Sequence, residues 1–159
     1  RIGVVSDTHN RLPNVQRIVE LFNAARVERV IHTGDVTRGE TVHAFAALQA
    51  PLVGVFGNND ERESIEEAAR AHGFTFHADP LRLTLAGRRI LVVHDPLELR
   101  ELVDASCEIA LHGHDHRLAI DRTDGRLRFN PGECAGLLSG HNAVGVLDLA
   151  TLETELLRF

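Results

Sequence analysis

The amino-acid sequence predicts an α/β protein that folds as one domain, and three observations support this prediction. The chain has 159 residues, enough for one domain with a sizeable hydrophobic core. Its first half repeats a strand–loop–helix unit three times, which favours a parallel sheet with helical crossovers. Its second half holds short strands joined by tight turns, and no repeat, linker or low-complexity segment divides residues 1–159. We therefore expect either one mixed sheet or two stacked sheets.

Each repeated unit of the first half opens with a short apolar strand. The first strand starts at Ile2, and Pro13 suits the first turn of the helix that follows it. Apolar side chains then recur at helical spacing, at Val15, Ile18, Val19, Phe22 and Ala25. The other strands and helices of this half are predicted at residues 29–33, about 40–48, 52–56 and 61–72.

Turn residues punctuate the second half. Ala86-Gly87 and Asp124-Gly125 each join two strands into a hairpin. Strands are predicted at residues 75–77, 81–85, 89–93, 108–111, 118–122, 126–130, 142–149 and 154–159, the last two forming a closing hairpin. One short helix is predicted at residues 97–103.

Composition and charge limit the classes of function. The formal net charge is −6 without a run of Lys or Arg, which argues against binding duplex nucleic acid. A small phosphate ester stays open as a substrate, because bound cations can reverse the local field. Cys107 and Cys134 have no disulfide or zinc spacing, and no stretch has the length of a membrane span or signal peptide. We therefore expect a cytoplasmic protein with reduced cysteines.

Seven acidic, amide or imidazole residues come directly after apolar strands. They are Asp7, His9, Asp35, Asn58, His94, His114 and His116. Taken singly, such residues are usually turn or loop residues that make hydrogen bonds. Their repeated occurrence at strand ends instead indicates one shared site, because ligands bind at the carboxyl ends of parallel strands. Carboxylate and imidazole side chains aimed at one point suit a divalent metal, although Asp7 and His9 can share a point only if the strand alternation is broken.

The order of these residues resembles the calcineurin-like metallophosphoesterases. The motifs of that family are D-x-H, G-D, G-N-x-[DEH], a lone His and G-H-x-H. They stand here as Asp7-Thr-His9, Gly34-Asp35, Gly57-Asn58-Asn59-Asp60, His94 and Gly113-His114-Asp115-His116. The turn Asn130-Pro131-Gly132-Glu133 and the lack of insertions resemble the small prokaryotic phosphodiesterase branch. The resemblance implies a four-layer αββα sandwich of two mixed β-sheets flanked by helices.

Carried over onto these positions, the resemblance implies a binuclear centre that holds two divalent metal ions. The first ion would be bound by Asp7, His9, Asp35 and His116. The second would be bound by Asp35, Asn58, His94 and His114, so that Asp35 bridges the two ions. Nitrogen and oxygen ligands without thiolate suit Mn, Fe, Ni or Zn better than Mg or Ca, and we expect manganese.

The resemblance also implies a phosphoric ester hydrolase. We expect a phosphodiesterase that hydrolyses small phosphodiesters by attack of a metal-bridging hydroxide, with Asp35, Asn58 and His94 acting in catalysis. The alternatives are a phosphomonoesterase, a nuclease, and a non-catalytic metal-binding scaffold like the retromer subunit that shares this fold. The expected partner is a small phosphate ester rather than a membrane, and assembly into a homo-oligomer stays open.

Two positions depart from the pattern of the family: residue 59, and Asp95, which stands where relatives usually carry Gly after the lone His. Many relatives carry a His thought to act as general acid where this chain has Asn59, and an amide cannot donate a proton in that role. The sequence candidates for the acid are Asp60, Asp95, Asp115 and His112, all of which could instead orient the ligand imidazoles. Without a clear acid, we expect substrates with good leaving groups. Arg38 is a candidate phosphate contact, although a solvated loop arginine is the plainer interpretation.

Overall fold

The computed structural model describes residues 1–102, 106–137 and 141–159. In these ranges the strands are β1 (Ile2–Val5), β2 (Arg29–His32), β3 (Leu52–Val55), β4 (Thr75–His77), β5 (Leu81–Leu85), β6 (Arg88–Val92), β7 (Ile109–Leu111), β8 (Leu118–Thr123), β9 (Arg126–Pro131), β10 (Ala143–Leu147) and β11 (Thr154–Arg158). The helices are α1 (Leu12–Ala25), α2 (Gly39–Ala44), α3 (Arg62–His72) and α4 (Leu99–Leu102), with a 3₁₀ helix at Pro96–Glu98.

The strands form two mixed sheets, as the resemblance implies. The first has six strands in the order β11-β10-β1-β2-β3-β4, and the second has five in the order β5-β6-β7-β9-β8. Strands β1 to β4 run parallel, which confirms the prediction from the three strand–loop–helix units. The closing hairpin of β10 and β11 is antiparallel. In the second sheet, β6, β7 and β9 run parallel and the outer strands run antiparallel.

Helices cover the outer faces of both sheets, so the four-layer prediction is confirmed. Helices α1 to α3 pack on the first sheet through apolar residues that include Val15, Phe22 and Ile65. Among the described residues, α4 packs on the second sheet through a small cluster around Leu99 and Cys107. The core between the sheets is aliphatic apart from Phe129. Cys107 and Cys134 are buried and unbridged.

Two helices differ from the prediction. Helix α2 ends at Ala44 rather than near residue 48. The backbone N–H groups of Phe45, Ala46 and Leu48 each donate to the carbonyl three residues back instead of four, so the α-helical hydrogen-bond pattern stops there. The helix predicted at 97–103 is divided into the 3₁₀ turn, whose N-cap is Asp95, and α4. Residue 103 lies outside the described residues.

The two predicted hairpin turns are confirmed. Ala86 and Gly87 both have positive φ, and so do Asp124 and Gly125, as a two-residue turn between twisted strands requires. Within the three described ranges, no helix combines the length and apolar character that a membrane crossing needs.

Candidate metal centre

All seven predicted ligands come together at one edge of the sandwich. Loops after β1, β2 and β3 of the first sheet carry four of them, and loops after β6 and β7 of the second sheet carry three. Five of the seven have a left-handed backbone with positive φ: Asp7, His9, Asp35, His114 and His116. Residues other than glycine rarely adopt this conformation. It breaks the alternation of each strand, and therefore polar side chains close in sequence can face one point.

Asp7, His9 and His116 form one cluster, which we call the first group. The Nε2 atoms of His9 and His116 lie 3.3 Å apart. The Oδ1 atom of Asp7 lies 3.5 Å from Nε2 of His116 and 3.8 Å from Nε2 of His9. Asp7 is fully buried, and its Oδ1 has no hydrogen-bond partner in the part of the chain that the structure describes. A buried carboxylate oxygen facing two imidazole nitrogens is a fitting ligand for a cation.

Asn58, His94 and His114 form a second group. Oδ1 of Asn58 lies 3.0 Å from Nε2 of His94 and 3.2 Å from Nδ1 of His114. The two imidazole nitrogens are 3.3 Å apart. His94 is buried, whereas Asn58 and His114 are exposed. The second group therefore offers one amide oxygen and two nitrogens at the rim of the protein.

Asp35 lies between the two groups. Its Oδ2 is 3.5 Å from Nε2 of His9, and its Oδ1 is 3.4 Å from Nε2 of His94. Asn59 holds this carboxylate in place, because its backbone N–H donates to Oδ1 and its side-chain amide donates to Oδ2. Asp35 is thus oriented so that each oxygen faces a different group.

Hydrogen bonds at Nδ1, on the side of the ring away from the site, fix two of the imidazoles. Nδ1–H of His94 donates to the backbone carbonyl of Thr33 at 2.9 Å, and Nδ1–H of His116 donates to Oε2 of Glu133 at 2.8 Å. Each bond keeps a proton on Nδ1, so that in the neutral ring the Nε2 lone pair faces the site, as ligating histidines require. Glu133 is fully buried. Its role is not predicted by the sequence, which identifies it only as part of a turn.

The motif glycines provide space for ligands that come from other loops. A Cβ at Gly34 would lie 2.5 Å from Nδ1 of His94. A Cβ at Gly57 would overlap Oδ1 of Asp35, and one at Gly113 would overlap Oγ of Ser6. The glycines before Asp35, Asn58 and His114 therefore let the loops pack closely together.

Burial and charge shift the pKa values within the site in opposite directions. Burial raises the pKa of Asp7, although a hydrogen bond from Ser6 and the charge of His116 oppose the rise. Burial also acts to raise the pKa of Asp35, but hydrogen bonds from His94 and Asn59 outweigh it and hold that pKa well below its usual range. For His94, burial lowers the pKa, but the bond to Asp35 and its charge raise it to about 9. The buried carboxylates and imidazoles of the site therefore interact strongly with one another.

His32, which matches no sequence motif, forms hydrogen bonds to two of the loops that carry the candidate ligands. It is fully buried, and burial lowers its pKa to about 3, so the ring is neutral. The backbone N–H of Gly34 donates to its Nδ1, and its Nε2–H bonds the hydroxyl of Thr8. His32 thereby joins the loops after β1 and β2. A histidine within a strand gives no sequence signal for this role.

Three of the four sequence candidates for the general acid are engaged in holding loops. Asp60 accepts the backbone N–H groups of Gly57 and Thr37, and burial raises its pKa to about 6. Oδ1 of Asp115 accepts the amide of Asn130. His112 is buried against Arg128, with its pKa lowered to about 4, chiefly by burial.

The fourth candidate, Asp95, caps the 3₁₀ turn and lines a cavity beside the second group. Arg38, the sequence candidate for a phosphate contact, is exposed, and its Nε donates to Glu61. The plainer interpretation of Arg38 therefore agrees with the structure.

Comparison with known proteins identifies relatives along nearly the whole chain. The family model of the calcineurin-like phosphoesterase superfamily domain matches residues 1–152. The phosphodiesterase MJ0936 of Methanocaldococcus jannaschii is 32% identical over 154 residues, which cover 93% of this chain and 92% of the relative.

Solved structures agree with this comparison. An archaeal phosphodiesterase superposes with a TM-score of 0.90 at 30% identity, with 99% of both chains covered. The Escherichia coli phosphoesterase YfcE superposes with a TM-score of 0.69 at 20% identity, covering 99% of this chain and 98% of its own. Vps29 of Entamoeba histolytica gives 0.68 at 19% identity with the same coverage. The last two are similar in fold alone.

Proposed function

The chain belongs to the calcineurin-like phosphoesterase superfamily and is a phosphoric ester hydrolase, and from this premise we propose that it is a two-metal phosphodiesterase acting on small phosphodiesters. The proposal rests chiefly on Asp35, whose two oxygens face different groups of nitrogen and oxygen ligands. The phosphodiesterase from Methanocaldococcus jannaschii supports the choice of a diester substrate.

The residues present fit a binuclear metal centre. Asp7, His9, Asp35 and His116 would hold one ion, and Asp35, Asn58, His94 and His114 would hold the other. The buried Oδ1 of Asp7, without a hydrogen-bond partner among the described residues, supports this assignment. Nitrogen and oxygen donors without thiolate suit manganese, which we propose as the native metal, with Fe, Ni or Zn as competitors.

The role of the protein in this reaction is to hold charges and lone pairs in fixed positions. When bound, divalent ions supply Lewis acidity, which lowers the pKa of water and stabilises negative charge on phosphoryl oxygens. Thr33 and Glu133 fix the tautomers of His94 and His116. Asn59 orients Asp35, so that its negative charge is shared between the two groups. These outer contacts make the site rigid before substrate arrives.

Asn59 also bears on the choice of substrate. Its backbone N–H and its side-chain amide both donate to Asp35, and an amide has no acidic proton to give a leaving alkoxide. Three of the four candidate acids hold loops instead. We therefore expect faster hydrolysis of diesters whose leaving group is a weak base, such as an aryl oxide.

Metal analysis combined with an aryl phosphodiester assay tests the proposal. We expect two manganese ions per chain after loading, and hydrolysis of the diester that depends on added Mn²⁺. Asp35→Asn should lower the rate by at least about 10²–10³-fold with the fold retained, because the shared charge is lost. Asp124→Asn is the matched control, since this exposed turn residue precedes Gly125 and Asn-Gly suits the same turn.

Two outcomes would contradict the proposal. Full activity of Asp35→Asn would defeat the bridging assignment. Two bound ions without turnover of any phosphate ester would favour the alternative of a metal-binding scaffold with this fold.

A further inference from the structure

A cavity of about 260 Å³ opens directly beside the second group. Asn58, His94 and His114 line this cavity. Phe56 and Arg62 also line it, and neither belongs to one of the sequence motifs. A phosphate bound at the second group would therefore have these two side chains as neighbours.

Arg62 is held in place by an aromatic ring rather than by a carboxylate. It is the first residue of α3, and its guanidinium carbon lies 5.2 Å from the ring centroid of Phe56. Phe56 is buried, so the ring is a fixed platform under the cation. Among the described residues, Arg62 has no ion pair, whereas Nε of Arg38 lies 3.0 Å from the Glu61 carboxylate. The charge of Arg62 is thus left available for a ligand.

Carboxylate side chains also line the cavity, so the positive charge of Arg62 matters more for binding an anion there. Asp79 and Asp95 each accept a backbone N–H, from His94 and Leu97 respectively. Of the described residues that line the cavity, Arg62 alone has a permanently positive side chain. The carboxylates of Asp79, Asp95 and Glu98 repel an anion that enters this cavity, whereas the guanidinium of Arg62 attracts it. A planar guanidinium can also bind two phosphate oxygens at once.

We propose that Arg62 is a substrate-positioning residue that binds an oxygen of the phosphate group at the second group of ligands. This inference rests on the proposed phosphodiesterase function and names the residue that orients its substrate. The sequence suggested Arg38 as a phosphate contact, but the guanidinium of Arg38 donates to Glu61. Arg62 provides the phosphate contact instead. It holds the ester during hydrolysis and afterwards contacts the phosphate product.

The variants Arg62→Ala, Arg62→Lys and Arg38→Ala test the role of Arg62. Two measurements are needed on manganese-loaded protein: the KM and kcat for an aryl phosphodiester, and the Kd of orthophosphate by calorimetry. For Arg62→Ala we expect both KM and Kd to rise about tenfold with kcat changed less than about threefold, because a charge-assisted hydrogen bond is lost. Arg62→Lys should recover part of the loss, since it keeps the charge without the planar fork. Arg38→Ala should match the wild type.

The two measurements separate failure of this inference from failure of the proposed function. Unchanged KM and Kd in Arg62→Ala, with a hydrolysing wild type, would overturn the role of Arg62 alone. A wild type that hydrolyses no ester would overturn the phosphodiesterase function, and the orthophosphate Kd would then decide the role of Arg62. Circular dichroism and two manganese ions per chain in each variant exclude misfolding, and Arg62→Lys decides the question if Arg62→Ala does not fold.

Discussion

The first and second groups of the proposed metal centre have the same number of side chains but different charge. The first group contains the buried carboxylate of Asp7, and the buried carboxylate of Glu133 lies directly behind His116. The second group contains the neutral Asn58, and a backbone carbonyl lies behind His94. Asp35 is shared by both groups.

This difference indicates how the centre should fill. A divalent ion gains more Coulomb energy in the first group, where two carboxylates besides Asp35 act on it at low dielectric. The second group has no carboxylate of its own, and two of its ligands, Asn58 and His114, are exposed, so it should bind its ion more weakly. We therefore expect manganese to bind in two steps of unequal affinity, and variants that act on one group should move one step only.

Among changes that act on one group only, the largest expected effect concerns Glu133. Replacing it in Glu133→Gln removes the charge behind His116 and weakens the bond that fixes its tautomer. We expect the Kd of the tighter manganese step to rise about 10- to 100-fold, with the weaker step unchanged. A calorimetric or electron paramagnetic resonance titration with Mn²⁺ resolves the two steps.

Asp79→Asn is the matched control for this experiment. Asp79 touches the second group only through the backbone N–H of His94, a bond that an amide oxygen can also accept. The tighter step should therefore be unchanged in Asp79→Asn. An equal loss of the tighter step in both variants would contradict the unequal-charge model.

A smaller effect is expected from Gly113. A Cβ there would overlap Oγ of Ser6 and lie 2.9 Å from Oδ2 of Asp7. We expect Gly113→Ala to lower the free energy of unfolding by about 1–3 kcal/mol and to weaken the tighter manganese step, because Asp7 must shift. Urea denaturation measures the first effect, and the titration described for Glu133 measures the second.

The control for this prediction is Gly125→Asn in the turn between β8 and β9. No atom of the described residues beyond the chain neighbours lies within 4 Å of a Cβ at Gly125, and Asn tolerates its positive φ. The change in stability should stay within about 0.5 kcal/mol. A Gly113→Ala variant as stable as this control would show that the loops can separate without cost.

Much of the fold is predictable because residue periodicity determines it locally. The apolar runs before Asp7, Asp35 and Asn58 predict the parallel strands, and the Ala-Gly and Asp-Gly turns predict two hairpins. The end of α2 is not predictable in this way. Residues 45–48 contain good helix formers, and yet the chain turns with short-range bonds there while Phe45 is buried.

The site, too, has residues that the sequence predicts and residues that it does not. The seven candidate ligands are recognisable because each follows a strand within a motif, and the structure brings them to one edge. The supporting contacts are not recognisable, because they join residues distant in sequence. The turn after β9 brings Glu133 to His116, and the start of α3 places Arg62 in the lining of the cavity beside the second group. The motifs identify the candidate ligands, whereas the fold of the rest of the chain determines which residues orient those ligands.

The smallest expected effect concerns Asn59, which acts on both groups through Asp35. Asn59→His removes the side-chain donor to Oδ2, but the backbone N–H still donates to Oδ1. Residue 59 is exposed, so the larger ring can point to solvent. We expect an intact fold, with the free energy of unfolding lowered by about 1 kcal/mol in urea denaturation. Both manganese steps should weaken together, because Asp35 is shared, and a change confined to one step would contradict its position between the groups.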